Sequence, residues 1–392
     1  MERELAHVEK IIDIQPIPGA DRVELATVLG WKVMVRKGQF KIGDLAVYIE
    51  IDSECPHEEP FTFLEKNHYK IKTQKYFKGT VLSQGLLMSL EDLGIPAESV
   101  KEGDGLTEKL HIKYSTPEDN YRKKPSADKY KQMARRNPKL FKKPWAQWMM
   151  KRPWGKKVMF ALFGRKQDKK LGWPEWVART DEHRIQEVPW ILDQYRIPYK
   201  KGPWVVSEKI DGKSSTYSLK RGRGLFGKDE FYVCSRNIVQ EAPDQENRHG
   251  TNAYWEIENR YNIRVVLSTL MDILDVDWIT IQGEIYGHKI RKRDYGMKDI
   301  DFAAFNLITS ENGRYGTEEM EEILRDRCGI PCVPIVDSNY MLPDTIDEIL
   351  EYAASESSQI DGGMREGVVF RAKDGSDSFK AVSNEYLLKY DG

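Results

Sequence analysis

Apolar and polar positions along the chain fall into three regimes. In residues 1–112 they form short alternating runs. Val23-Glu-Leu-Ala-Thr-Val-Leu29 leads to Gly30-Trp31, Lys32-Val-Met-Val-Arg36 alternates with period two, and Leu45-Ala-Val-Tyr-Ile-Glu-Ile51 follows Gly43-Asp44. Ile71–Tyr76 and Gly85–Ser89 add two more runs, and short strands at this spacing predict a small β-barrel. Residues 177–392 mix the two periods. Trp204–Glu208, Phe231–Ser235, Trp278–Gln282, Phe302–Ile308 and Gly367–Arg371 read as strands, while Tyr254–Leu274 and Thr317–Arg327 carry helical periodicity, so an α+β domain is expected there. Residues 113–176 sustain neither period.

Charge separates that middle stretch from its flanks. The 392 residues carry 61 Lys+Arg against 62 Asp+Glu, a net charge of -1 that names no partner. Residues 113–176, however, hold 19 Lys+Arg against 5 Asp+Glu, together with Trp145, Trp148, Trp154, Trp173 and Trp176, half of the ten tryptophans. Basic clusters at 122–124, 135–136, Lys142-Lys143, Lys151-Arg152, Lys156-Lys157 and 169–170 are interleaved with these rings. Cations that neutralise phosphates and rings that stack on unpaired bases suit nucleic acid. The alternatives are a solvated basic linker with its tryptophans against neighbouring domains, and, more weakly, membrane-surface contact by Trp145–Phe163.

Other classes drop out. Four cysteines (Cys55, Cys234, Cys328, Cys332) are too few for a disulfide framework and lack zinc-site spacing, so they read as reduced thiols. The longest apolar run, Val158–Gly164, is too short to span a bilayer, and Met1–His7 lacks the order of a signal peptide. A soluble, cytoplasmic protein is expected.

The sharpest motif is Ser207-Glu-Lys-Ile-Asp-Gly-Lys-Ser214, a lysine two residues before an Asp-Gly turn at a strand end. By itself K-x-D-G is weak, because Asp-Gly is a common turn. Its weight comes from order. Downstream follow Ser235-Arg-Asn237, Gly283-Glu-Ile-Tyr-Gly287, Asp301-Phe-Ala-Ala-Phe-Asn-Leu307, Glu366-Gly-Val-Val-Phe370 and Ser378-Phe-Lys380.

This string resembles motifs I, Ia, III, IIIa, IV and V of the covalent nucleotidyltransferase superfamily, which comprises ATP-dependent RNA and DNA ligases and mRNA capping enzymes. Within it the chain is most similar to the RNA ligase 5 type, which places an oligonucleotide-binding (OB) domain first and ends shortly after motif V. Ile14–Asp21, Gly30-Trp31 and Ser83-Gln-Gly-Leu86 look like that family's N-terminal domain, and Arg179–Gln186 looks like the segment ahead of its motif I. The resemblance implies an OB-like domain over 1–112 and a nucleotidyltransferase domain over 177–392, and the basic Trp-rich stretch over 113–176 stands between them as a linker or insert.

It also implies roles. Lys209 would be the nucleophile that takes AMP from ATP. Since a free lysine amine is almost wholly protonated at neutral pH, its pKa should be depressed by burial and by positive charge from a divalent metal and Lys380. Glu208 would meet the adenine amino group, Arg236 and Glu284 the ribose hydroxyls, and Phe305, with Phe302 as the other candidate, would stack on the purine. Asp211 and Glu366 would hold Mg²⁺ or Mn²⁺, and Lys380 would contact the α-phosphate. Lys213 would lie nearby, and Lys389 could supply the second cation that many relatives carry at motif V and that Lys380-Ala-Val382 lacks.

The implied protein is a monomeric ATP-dependent RNA ligase, away from membranes, that seals 3′-OH and 5′-phosphate ends, with a preference for nicks in duplex RNA or RNA/DNA. Lys142, Lys143, Lys151, Arg152, Lys156 and Lys157 would hold the nucleic acid. A capping-type guanylyltransferase and a non-catalytic RNA-binding protein are the alternatives.

Overall fold

The computed structural model describes residues 4–115, 138–163, 173–177, 179–180, 182–195, 203–222, 227–242, 252–373 and 375–390. The basic clusters at 122–124, 135–136 and 169–170 lie outside them. The chain divides into two compact units, residues 1–114 together with 173–392, and residues 115–172.

Ten strands build residues 6–114: β1 (Ala6–Lys10), β2 (Asp13–Pro16), β3 (Val23–Val28), β4 (Trp31–Arg36), β5 (Leu45–Ile49), β6 (Ser53–Glu54), β7 (Gln74–Tyr76), β8 (Val81–Ser83), β9 (Leu86–Ser89) and β10 (Lys113–Tyr114). They pair as β1-β5-β9, β2-β3-β4, β7-β8 and β6-β10, all antiparallel. The period-two reading of β4 holds: Trp31, Val33 and Val35 are buried, while Lys32, Met34 and Arg36 are more open. Leu29 and Gly30 both take positive φ, as a two-residue turn between β3 and β4 requires. Trp31 and Tyr48 anchor one core, and Val8, Val47, Ile49 and Met88 a second.

In residues 115–172 the described elements are three helices, α1 (Pro138–Phe141), α2 (Pro144–Met150) and α3 (Pro153–Phe163). Each begins with proline, which suits a first helical position because its missing N–H would be unpaired there anyway. Ala146 and Met159 are fully buried among Leu140, Phe141, Met149, Met150 and Phe160.

Beyond residue 173 the chain builds two antiparallel sheets. One has the order β17-β11-β18-β19 and the other β13-β12-β14-β15-β16. Their strands are β11 (Trp204–Lys209), β12 (Lys213–Lys220), β13 (Glu230–Ser235), β14 (Trp278–Gly287), β15 (Ile300–Thr309), β16 (Gly313–Arg314), β17 (Ile335–Tyr340), β18 (Gly367–Ala372) and β19 (Ser378–Val382). Helices α4 (Trp190–Tyr195), α5 (Ala253–Tyr261), α6 (Ile263–Leu274), α7 (Thr317–Glu321), α8 (Ile346–Ser355) and α9 (Asn384–Tyr390) complete it. The expected helix over 254–274 is two helices, broken where Asn262 adopts φ 47°, a left-handed conformation that asparagine tolerates. A buried cluster with Trp204, Val206, Val368, Phe370 and Phe379 backs the first sheet, with α4 and α8; α5 and α6 back the second through Ile257, Leu267 and Leu270.

The β-rich N-terminal part packs on this domain. The Arg184 guanidinium lies 5.3 Å from the centre of the Trp31 ring, Leu82 packs with Val382 and Leu387, and Lys75 Nζ donates to the Leu388 carbonyl at 3.1 Å. The architecture is the α+β arrangement expected. All four cysteines are free. Among the described residues no helix is long and apolar enough to cross a membrane.

Candidate active site

The site grows from the end of β11. Pairing puts Lys209 beside Gly367, which pairs with Val382, and Ser207 beside Val369, which pairs with Lys380. Because side chains alternate along strands, Lys209 and Lys380 share one face of the sheet, while Trp204, Val206, Phe370 and Phe379 fill the core behind the other. Residues 210–212 then carry the chain from the first sheet into β12 of the second. A Cβ on Gly212 would stand 2.3 Å from the Ile285 carbonyl oxygen, so the Asp-Gly turn needs glycine in order to lie against β14.

Four charged side chains converge at this turn. Lys209 Nζ donates to both Glu366 oxygens, at 2.7 and 2.8 Å. Glu284, on β14 opposite Ser214, and Asp211 add their fields. Burial disfavours the Lys209 ammonium, yet Glu366, Glu284 and Asp211 together outweigh it and hold the lysine pKa above its usual value. The depression expected from the chemistry is therefore not a property of the protein groups alone. Glu284 responds oppositely. Burial raises its pKa to about 8, with Lys209 offsetting part of the effect and Glu366 adding to it.

The part-buried carboxylates of Glu366 and Asp211 offer oxygen ligands of the kind a divalent cation takes. Among the described residues no three Asp, Glu, His or Cys side chains converge closely enough to cage one by themselves. That fits magnesium, which keeps its waters and binds through one or two carboxylates plus substrate phosphates. Glu366 and Asp211 could supply those carboxylates. Asp211 is fixed by the Tyr386 hydroxyl, which donates to Oδ2 at 2.9 Å, by Arg291 Nε at 3.9 Å from Oδ1, and by its own N–H, which donates to the Tyr295 hydroxyl at 2.7 Å.

The two aromatic candidates separate clearly. Phe302 is wholly buried, edge-on to Tyr217 at 5.7 Å, and its ring fills the space a Cβ on Gly283 would need, at 2.3 Å. Phe305 sits where β14 and β15 change register, Gln282 facing Asn306 but Gly283 facing Ala304. Three residues along the strand, Phe305 lies on the face opposite Phe302 and packs with Ile210, Tyr286, Tyr295 and Val333, while Phe302 packs in the core behind the sheet.

Glu208 is 2% exposed and accepts from Ser358 Oγ at 2.5 Å and from the Gln359 N–H at 2.7 Å. Burial raises its pKa, and those two donors with Arg365 and Arg293 counter the rise. Arg236 is exposed, one residue beyond the Ser215–Ser235 pair and so in line with Ser214 and Glu284. Lys213 opens β12 opposite Ile285, and Lys380 is half-buried with its N–H on the His183 carbonyl. Lys389 is exposed on α9, its ammonium 5.0 Å from the centre of the Tyr390 ring. In the other unit, Lys142, Lys143, Lys151 and Lys157 are exposed, Lys156 is half-buried, and Arg152 lies 3.5 Å from the centre of the Trp148 ring.

Sequence reasoning did not find Tyr295, Tyr386, Arg291 or Arg293. Arg291 Nε donates to the Gly212 carbonyl at 2.8 Å, and the Arg293 guanidinium lies 4.3 Å from the Tyr295 ring centre while binding Asp361 and the Met364 carbonyl. Arg291-Lys-Arg293, three cations just after motif III, was the available signal.

A lysine at the end of a strand, facing acidic groups between two antiparallel sheets, with the ordered strand-end motifs around it, is the arrangement that the resemblance to covalent nucleotidyltransferases implies. Residues 202–390 match the RNA ligase family and residues 5–90 match an OB-fold domain family. Residues 202–390 thus form an RNA ligase family domain with an OB-fold domain ahead of it, the domain order of the RNA ligase 5 type. Among solved structures it is similar to Naegleria gruberi RNA ligase. A glutamate-to-alanine mutant with ATP and Mn matches at 25% identity and TM-score 0.66, over 100% of both chains. A lysine-to-methionine mutant with AMP and Mn matches at 26% and 0.65, over 99% of both, and the enzyme with PPi at 26% and 0.64, over 100% of this chain and 99% of that one. No curated protein matches the sequence.

Proposed function

We propose that this RNA ligase uses ATP and a divalent metal to join a 3′-OH to a 5′-phosphate through a lysyl-AMP on Lys209. The observation that carries the reading is the placement of Lys209, with Glu366, Glu284 and Asp211 around it, at the head of a motif string that continues to Lys380. The ATP-, AMP- and PPi-bound states of the Naegleria gruberi enzyme support it. In the first step the Lys209 amine, having lost a proton, forms a bond to the α-phosphorus as the bond to the β-phosphate oxygen breaks and pyrophosphate leaves. Phe305 offers its ring to the purine, Arg236 and Glu284 approach the ribose, Glu208 the adenine amino group, and Lys380 the α-phosphate. Glu366 and Asp211 would hold the metal, which supplies charge neutralisation at the phosphates and draws the carboxylates' field away from Lys209. A polynucleotide 5′-phosphate then takes the AMP from Lys209, and attack by the 3′-OH releases it.

We further propose nicked duplexes with RNA on the 3′-OH side as substrates, residues 113–176 as a basic clamp on the nucleic acid, and a monomeric, cytoplasmic protein. Incubation with α-labelled ATP and magnesium, followed by denaturation, should leave label on the protein, and Lys209→Ala should abolish it. Label that survives Lys209→Ala would overturn the assignment, and label from GTP alone would point to capping chemistry.

A further inference from the structure

The short helices α2 and α3 expose more aromatic surface than folding accounts for. Their inner faces supply the buried cluster around Ala146 and Met159, so the unit has a core without its tryptophans. Trp145, Trp148 and Trp154 stand 49%, 51% and 52% exposed. Exposed apolar area on this scale marks a contact surface. The rings of Trp148 and Trp154 lie 6.0 Å apart at 84°, so they present π faces in two directions, and the Arg152 guanidinium stacks 3.5 Å from the Trp148 ring centre. Val158 and Leu162 extend the exposed strip along α3.

Charge names the occupant. Residues 138–163 carry seven cations (six lysines and Arg152) and no carboxylate. A surface that is both flat-aromatic and purely cationic complements a polyanion with accessible π faces. In a duplex those faces are hidden within the stack, whereas an unpaired strand offers them. We propose that α2 and α3 form a binding site for single-stranded RNA, in which Trp148 and Trp154 stack on bases and Arg152 with its neighbouring lysines takes the phosphates. The choice of RNA as the polyanion rests on the ligase reading; the stacking site rests on these residues alone.

Anisotropy of a short labelled oligouridylate, titrated with the full chain at several salt concentrations, tests this. Trp148→Ala and Trp154→Ala should each weaken binding about tenfold while leaving the slope of affinity against salt unchanged, since stacking releases no counterions. Lys151→Ala with Lys157→Ala should flatten that slope. Trp148→Phe, which keeps an aromatic face and the packing, should retain most of the affinity and so separates stacking from misfolding. Tryptophan variants that bind oligouridylate like the wild type, or a wild type that prefers a blunt RNA duplex, would overturn the proposal. So would variants that lose only their affinity for phosphatidylserine vesicles, which would make the strip a membrane contact. Labelling of Lys209 from ATP is read on the same preparations. A chain that binds oligouridylate but takes no label sinks the ligase reading alone, whereas one that takes label but does not bind sinks this site alone.

Discussion

Glu366, Glu284 and Asp211 hold Lys209 as an ammonium. In the proposed function, a divalent cation held by Glu366 and Asp211 would compete for the same carboxylate charge and so would favour the neutral Lys209 amine. Asp211 then matters through its orientation, and Tyr386 sets that orientation with a 2.9 Å hydrogen bond from a residue that is 2% exposed. Tyr386→Phe keeps the ring and removes the bond. It should raise the metal concentration needed for half-maximal Lys209 labelling by about tenfold, the usual scale for an outer-shell partner, with little change in the rate at saturating metal. A titration of labelling against Mg²⁺ or Mn²⁺ reads both quantities, and an unchanged half-point would remove Tyr386 from the site.

At the scale of elements, the packing of one strand decides which of two aromatics is taken into the core. Alternation alone gives Phe302 and Phe305 opposite faces of β15 but does not say which face is the core. The ring of Phe302, packed over Gly283 and within the cluster behind the second sheet, settles it. Phe305→Ala should therefore lower affinity for ATP in the labelling reaction and leave the melting temperature close to wild type. Phe302→Ala should destabilise the fold by about 3–5 kcal/mol, as truncation of a buried phenylalanine does. Thermal melts beside labelling at varied ATP distinguish the two, and equal melting temperatures would contradict the assignment. The same dependence on neighbours appears in α5 and α6. Their apolar period runs unbroken through Asn262, so only packing of both helices on the second sheet shows the break.

At the scale of the molecule, stability should depend on pH through a buried histidine of the N-terminal part. His7 on β1 is 8% exposed, with Nδ1 2.7 Å from Glu9 and Nε2 3.5 Å from Glu50. Burial lowers its pKa, but Glu50 and Glu9 prevail and raise it from 6.5 to about 9. The folded state thus binds the proton more tightly than the unfolded chain. The stabilisation, roughly 3 kcal/mol, is fully present below pH 6.5 and is lost as pH rises through 9. Melting temperatures measured from pH 6 to 9.5 should fall for the wild type, and His7→Gln should flatten that fall, whatever its absolute stability; parallel curves would place the proton elsewhere. The sequence by itself determined the class of this protein. Lys209, Asp211, Glu284, Glu366 and Lys380 sit in short motifs whose order along the chain is a linear property, and period-two runs announce strands without reference to their partners. Only the tertiary structure decided that Phe305 rather than Phe302 faces the site, that Tyr386 and Arg291 steady Asp211, and that residues 138–163 fold into helices with their tryptophans outward. Each of these is a relation between residues that hydrogen bonding and burial bring together across long stretches of chain. The charge or apolarity of one residue shows what it can do, but only packing shows which neighbour it does it to.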